Sequence, residues 1–267
     1  MKITVVITAY NRNEYLDCSL GSLADQSNKN FDVILITNFN YDLSKFKTLS
    51  ILHIVMTGTT GDFICKAIEY CKGDIILFLD DDDFFAEDKV EVVSQLFKPN
   101  IGYIHNKALY FNTKGITHRN NTTADFNSSS ISIRRCILEK YISILPNVST
   151  GIDTFMYLTA VESDYNIINF KKTLTYYRKY ENNVSSIGNM DWLHLYQQNL
   201  LLFAKYFKSL KAQKHIKTLL LFTKFAIFTR SENKITPNIK DWINFFYYGL
   251  LNKQITLMIK SIRKLVH

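Results

Sequence analysis

Apolar runs and helically spaced stretches take turns along the first hundred residues. The run "KITVVITAY" (2–10) is rich in β-branched residues and reads as a buried strand, whereas "NEYLDCSLGSLADQS" puts Leu16, Leu20 and Leu23 on one face of a helix. "FDVILITN" (31–38) is a second strand, "ILHIVMT" a third, "GDFICKAIEYC" a helix, and "GDIILFLD" (73–80) a fourth strand. "AEDKVEVVSQLF" follows as a helix that opens on acidic residues, as its dipole prefers. Strands that are apolar throughout and alternate with helices predict an α/β fold, a Rossmann-type and mostly parallel sheet covered on both faces. Ligands of such sheets bind beyond the carboxyl ends of the strands.

The pattern changes near residue 190. "WLHLYQQNLLLFAKYFKSLKAQKHIKTLLLFTKFAIFTR" reads as one or two helices, and beyond Pro237 "DWINFFYYGLLNKQITLMIKSIRKLVH" reads as another. Charge divides at the same place. Residues 1–190 hold 19 Lys/Arg against 21 Asp/Glu, while 191–267 hold 13 against 3, so the formal net charge of +8 belongs to the tail. The expectation is a domain over 1–190 and a basic, amphipathic helical extension over 191–267. Aromatic and aliphatic faces with lysine flanks suit an anionic membrane surface. The same faces also suit packing against the sheet, or a homodimer through the C-terminal helices. Nucleic acid is not expected as a partner, because the first 190 residues are acidic and show no recognisable binding module.

Location follows from what the chain lacks. Cys18, Cys65, Cys71 and Cys136 are scattered without a C-x-x-C pair, which argues against a disulfide framework and a structural zinc site. No apolar run approaches the roughly 20 residues of a spanning helix, and "MKITVVITAYNR" is broken too early for a signal peptide. A cytoplasmic protein, peripheral at the inner face of the cell membrane, is the expectation.

Candidate chemistry centres on "LFLDDDDFF" (77–85), where four carboxylates follow an apolar strand and raise one another's pKa. Continuing the strand's period of two puts Asp80 and Asp82 on one side and Asp81 and Asp83 on the other. Two carboxylates on one side make a hard-oxygen site for Mg²⁺ or Mn²⁺, with water and phosphate oxygens completing the shell. The plainer use, capping the next helix, needs a single Asp and suits Asp83.

"VVITAYNR" (5–12), "GDIILFLDDDD" (73–83), and "TGIDTFMYLTAVESDYNI" followed by "LTYYRKYENNVS" together resemble, in order and spacing over roughly residues 1–190, the signature segments of family 2 glycosyltransferases with the GT-A fold. The resemblance implies inverting transfer of a sugar from a nucleotide-sugar donor, a UDP-sugar first among them. The acceptor would be a hydroxyl of a glycan or lipid-linked molecule in surface polysaccharide, lipopolysaccharide or capsule assembly, and the metal Mn²⁺ or Mg²⁺. Carried over by position, Asp80 matches the nucleotide-contacting Asp, with Asp81 beside it, and Asp82 the metal-binding Asp. Asp153 matches the general base, Ala9, Tyr10 and Arg12 the turn that holds donor base and phosphates, and Arg178 an arginine near phosphate. Inverting displacement needs a base on the acceptor side and a cation on the leaving-group side, which separates Asp153 from Asp82. Ordinary uses stand beside these roles: a helix cap for Asp153, a loop for Tyr10 to Arg12, a surface ion pair for Arg178.

Departures qualify the resemblance. Where the family commonly has "VVDDGS", this chain has "LITNFN", so Thr37 and Asn38 replace two aspartates near the nucleoside; Asn38 keeps the hydrogen bonds without the charge. "ARN" becomes Phe63, Ile64 and Cys65, the late "R-x-H" becomes Arg178-Lys179-Tyr180, and Ile152 replaces the first acid of "ED". The stretch "NTKGITHRNNTTADFNSSS" reads as a hairpin turn and a long flexible loop, and His105, His118 and Arg119, near or within it, carry no assigned role. Two other readings are a sugar-phosphate nucleotidyltransferase, which would want a Gly-rich loop and Lys that "TAYNRNEY" lacks, and a degenerate, non-catalytic glycan-binding relative.

Overall fold

The computed structural model describes residues 1–112, 115–116, 127–179, 190–231, 237–251, 257–258 and 261. It divides into two compact units, Met1–Val148 with Ile152–Glu181, and Ser149–Gly151 with Asn182–His267.

The first unit runs β1 (Ile3–Ala9), α1 (Leu16–Ala24), β2 (Phe31–Thr37), β3 (Ile51–Val55), α2 (Thr60–Tyr70), β4 (Ile75–Asp80), β5 (Phe84–Phe85), α3 (Lys89–Leu96), β6 (Ile101–Asn112), β7 (Gly115–Ile116), β8 (Ile131–Arg134), α4 (Arg135–Glu139), α5 (Ile152–Val161) and β9 (Asn166–Arg178). Its sheet has the order β3-β2-β1-β4-β8-β6-β9-β5, with β7 paired to β6. The first four strands are mutually parallel, β6 and β9 are parallel to each other, and β8 lies antiparallel to both β4 and β6. The expected mostly parallel α/β sheet is therefore present, with β8 as an antiparallel joint.

Both faces of β1 are buried because both are covered. Ile3, Val5 and Ile7 pack with Leu16, Leu20 and Leu23 of α1 and with Val90 and Val93 of α3. On the other face Val6, Ile34, Ile76 and Phe78 are buried as well, and α2 packs on β1 and β2. Each such side chain contributes roughly 1.5–3 kcal/mol. That core lets the strand ends carry unfavourable chemistry.

Topology brings distant segments to one edge. β1, β2 and β4 end together, with Ala9 opposite Thr37 and Thr8 opposite Asp80. Because β8 runs against β4, with Ser132 opposite Leu77, it begins where β4 ends, and the 3₁₀ turn Ser128–Ser130 meets Asp80 there. β9, parallel to β6, finishes at this edge with Arg178.

Two local expectations are corrected. The strand stops at Asp80 and Asp81–Asp82 form a turn, so the period-two division of the four aspartates does not continue past Asp80. The helix after it starts at Lys89 with Asp88 in the cap position, so Asp83 caps nothing.

The second unit contains α6 (Met190–Tyr206), α7 (Leu210–Arg230) and α8 (Ile239–Leu251), so the long helical stretch is two helices and the break near Pro237 precedes a third. Ser209 caps α7 by accepting a hydrogen bond from the Ala212 N–H at 3.2 Å. Phe225 stacks on Phe245 with ring centres 3.7 Å apart, and Trp242 meets Phe225 edge-on at 4.8 Å. The Asn199 amide donates to the Thr150 carbonyl at 2.8 Å, and Gly151 has φ of +72° with the Tyr196 ring 2.7 Å from where a Cβ would stand, which requires glycine. Among the described residues no helix is long and apolar enough to cross a membrane.

Candidate active site at the carboxyl edge of the sheet

The turn after β1 is tied to the turn after β2 by two asparagines. Asn11, with φ of 54°, occupies the left-handed region that Asn tolerates. Its backbone N–H donates to Asn38 Oδ1 at 2.8 Å, and Asn38 Nδ2 donates to Asn11 Oδ1 at 2.6 Å. The Asn38 amide thus joins two loops of the site. Ala9 is buried at the end of β1, whereas Tyr10 is 58% exposed with its ring edge-on to Phe63 at 6.1 Å. Arg12 spans the acidic turn, donating through Nε to Asp81 Oδ2 at 2.9 Å and through Nη2 to Asp81 Oδ1 at 2.5 Å, with Nη2 also 2.9 Å from Asp82 Oδ2. This planar, two-pronged match to a carboxylate is specific to arginine.

Serines and Arg178 hold the rest of the turn. The Ser19 hydroxyl of α1 lies 2.8 and 2.7 Å from the carbonyl oxygens of Asp81 and Asp83. Ser128 Oγ lies 2.6 and 2.7 Å from the two carboxylate oxygens of Asp80. Ser129 Oγ accepts the Asp80 N–H at 2.9 Å and donates to Asp83 Oδ2 at 2.6 Å. The Arg178 backbone N–H donates to Asp83 Oδ1 and its Nε to the Asp82 carbonyl, both at 2.8 Å, while its guanidinium sits over Tyr15 and Phe111 at 4.2 and 4.4 Å. Asp83 therefore anchors the turn to the 3₁₀ turn before β8 and to β9.

Electrostatics set this edge apart. Burial, with the neighbouring carboxylates adding to it, pushes Asp80 up to about 6 against the opposing Ser128 hydrogen bond, and pushes Asp82 up to about 7. Asp83 is raised well above the ordinary carboxylate value for the same reasons. Burial alone would lower the Arg12 pKa, but the hydrogen bond and charge of Asp81, with Asp82, raise it.

Asp153 enters from α5. It lies in the first turn of that helix and its Oδ1 accepts the Thr154 N–H at 2.6 Å. Burial pushes its pKa up to about 6 against those hydrogen bonds. Its charge contributes to the raised pKa of Asp80 and, after burial, to that of Tyr103, so it shares a neighbourhood with the acidic turn although 70 residues separate it from Asp83 in sequence. Ala9, Tyr10, Arg12, Asn38, Asp80, Asp81, Asp82 and Arg178 all stand at or beside the ends of β1, β2, β4 and β9. Among the described residues no three His, Cys, Asp or Glu side chains group as a ready metal cage.

Residues 4–102 match the family model described as glycosyl transferase family 2. Over those residues the chain is similar to that family. An uncharacterised glycosyltransferase of Haemophilus influenzae is 28% identical over 166 residues, 58% of this chain and 54% of that protein. The UDP-Glc:alpha-D-GlcNAc-diphosphoundecaprenol beta-1,3-glucosyltransferase WfgD of Escherichia coli is 23% identical over 43% of this chain and 48% of its own length. The chain thus spans about half the length of these two relatives. Among solved structures, S. aureus TarS 1-349 in complex with UDP-GlcNAc superposes with a TM-score of 0.62 at 18% identity, covering 91% of this chain and 79% of that one. The mannosyltransferase PcManGT of Pyrobaculum calidifontis, in complex with GDP-Man and Mn²⁺, gives 0.61 at 14% identity over 99% and 86%. These likenesses show that the chain shares the GT-A fold of these structures.

Sequence reasoning missed the supporting shell. "NTKGITHRNNTTADFNSSS" reads as a hairpin turn and a long flexible loop; β7 pairs with β6 as a hairpin, but the last serines are not loop, since Ser129 and Ser130 are buried and Ser128 and Ser129 close on Asp80 and Asp83. The apolar "ISI" that follows was the available signal, since it marks a buried strand whose start must meet a neighbour. His105 lies within β6 rather than beside a loop, and burial lowers its pKa to about 4. His118 and Arg119 fall outside the described residues.

Proposed function

We propose that this chain transfers a sugar, with inversion, from a nucleotide-sugar donor to a hydroxyl of a glycan or lipid-linked acceptor in surface-polysaccharide assembly, and that the reaction depends on Mn²⁺ or Mg²⁺. The observation that carries this reading is the meeting of Asp153 with the Asp80–Asp83 turn at the carboxyl edge, each part with its proton affinity raised. Asp82 would hold the ion, which when bound offsets charge on the departing diphosphate, and Asp80 would contact the nucleotide. Asp153, with a pKa near 6, is ionised at neutral pH yet basic enough to take the acceptor proton as the hydroxyl attacks. Arg12 keeps Asp81 and Asp82 oriented, Arg178 fixes the turn's backbone, and Tyr10 offers an exposed ring at the donor side. A UDP-sugar donor is favoured by the UDP-linked names of WfgD and the TarS complex, and a lipid-linked acceptor by the WfgD name.

The second unit supplies location in this reading. α8 buries Trp242 and Phe245 on one face and exposes Ile239, Ile243, Tyr247 and Leu250, between 61 and 77% each, along another. With the basic excess of 191–267, that face suits peripheral attachment to the anionic inner surface of the cell membrane. The test of the activity is a panel of UDP-, GDP-, CDP- and dTDP-sugars with Mn²⁺ and lipid-linked or oligosaccharide acceptors. Acceptor-dependent release of nucleoside diphosphate, lost in EDTA, is the expected result; binding without release would favour a non-catalytic relative, and release of pyrophosphate from nucleotide triphosphate a nucleotidyltransferase.

A further inference from the structure

Lys89 opens α3, yet its side chain is fully buried, on the same helical face as Val93 and Phe97. A lysine ammonium taken out of water is costly unless each of its donors finds a partner. Here all three do. Nζ donates to the Ser129 carbonyl at 2.5 Å and to Thr175 Oγ1 at 3.0 Å, and it sits 3.7 Å from the centre of the Phe85 ring. Thr175 Oγ1 in turn donates to the Ser129 carbonyl at 2.9 Å and accepts from Asn106 Nδ2 at 3.0 Å. Ser129 thus has its carbonyl held from one side by Lys89 and Thr175, while its hydroxyl holds Asp80 and Asp83 on the other. Burial drives the Lys89 pKa well below its ordinary value, and Asp83 is the charge that works against this.

We propose that Lys89 is a positioning residue behind the acidic turn that clamps the Ser129 carbonyl so that Asp80 and Asp83 keep their places. Nothing in the proposed chemistry touches Lys89, and a methionine would fill the same volume. The hydrogen-bonding amino group is what the network needs. Its consequence for donor binding rests on the reading of Asp80 and Asp82 given above; its effect on the turn does not.

The test compares the full-length wild type, Lys89→Met and Thr175→Val by amide hydrogen exchange. The reporters are the Asp80 N–H, bonded to Ser129, and the Arg178 N–H, bonded to Asp83. Lys89→Met should exchange about tenfold faster at both amides with β2 and β3 unchanged. Unchanged exchange at both amides would overturn the proposal. Should Lys89→Met fail to fold, Thr175→Val, which removes the second hold on the Ser129 carbonyl and a partner of Nζ, is read in its place, and wild-type exchange there contradicts the clamp. In parallel, UDP with Mn²⁺ should bind Lys89→Met about 10-fold more weakly, the scale of losing a supporting partner of a metal site. Wild type that binds no nucleotide with metal would sink the donor-site reading, while the exchange result would still decide the role of Lys89.

Discussion

The carboxyl edge of the sheet and the outer face of α8 break the same rule in opposite directions. At the edge, Asp81, Asp82 and Asp83 are buried among one another; on α8, Ile239, Ile243, Tyr247 and Leu250 stay in water. Charged groups are rarely buried without partners and large apolar groups are rarely left exposed in a row. The edge has built its compensation from the chain itself, through Arg12, Ser19, Ser128, Ser129, Lys89 and Arg178. α8 keeps its stripe although another side of the helix already packs on α7. In the proposed function the first region takes a cation with an anionic ligand, and the second an apolar phase.

The largest expected effect tests the edge. Asp82→Ala should weaken metal-dependent nucleotide binding by roughly 10²-fold or more, since losing even an outer partner of a metal site costs about 10–100-fold. Titration calorimetry with UDP or GDP and Mn²⁺ reads it, and wild-type affinity in the variant would remove Asp82 from the site. Next comes α8. Ile243→Glu with Leu250→Glu should lower binding to phosphatidylglycerol vesicles by about tenfold while leaving phosphatidylcholine binding low, and raising salt from about 0.05 to about 0.5 M should weaken the wild type. Equal vesicle binding by both proteins, or a shift from dimer to monomer in the variant, would assign the stripe to a protein interface instead.

The smallest effect is in stability against pH. Folded-state values of about 6 for Asp80 and Asp153 and about 7 for Asp82 lie above the ordinary carboxylate value of about 4. The folded form therefore binds more protons between these limits, so these groups favour folding at low pH and that contribution is lost as pH rises from about 4 through about 7. In thermal melts without metal, Asp82→Asn should gain a few degrees over wild type at pH 8, roughly 2–4 °C per kcal/mol, and the gain should shrink toward pH 4. A variant no more stable at pH 8 would show that Arg12 already neutralises Asp82.

The edge and the tail also differ in how far sequence reached them. Strands β1, β2 and β4 were readable because each is nearly continuous in apolar residues, and the expected site residues came from segments whose order resembles a family. Three things were not readable. A period of two says nothing once a strand ends, so the partition of the four aspartates failed at Asp81. A lone polar triplet, Ser128 to Ser130, looks like loop until the antiparallel entry of β8 is known. Lys89 looks like a solvated helix residue unless its place in the Val93 and Phe97 row is noticed, and even then only the folded chain shows what it bonds.

The most direct test of the division of roles is Asp153→Asn, which keeps the shape and the acceptor oxygen for the Thr154 N–H but removes the basic carboxylate. Steady-state turnover with a saturating nucleotide-sugar and acceptor should fall by roughly 10² to 10⁴, the scale of losing a general base, while donor affinity with Mn²⁺ and the melting temperature stay near wild type. Wild-type turnover in the Asn variant, or weakened nucleotide binding with turnover retained, would contradict the account and return Asp153 to the donor side or to the helix cap.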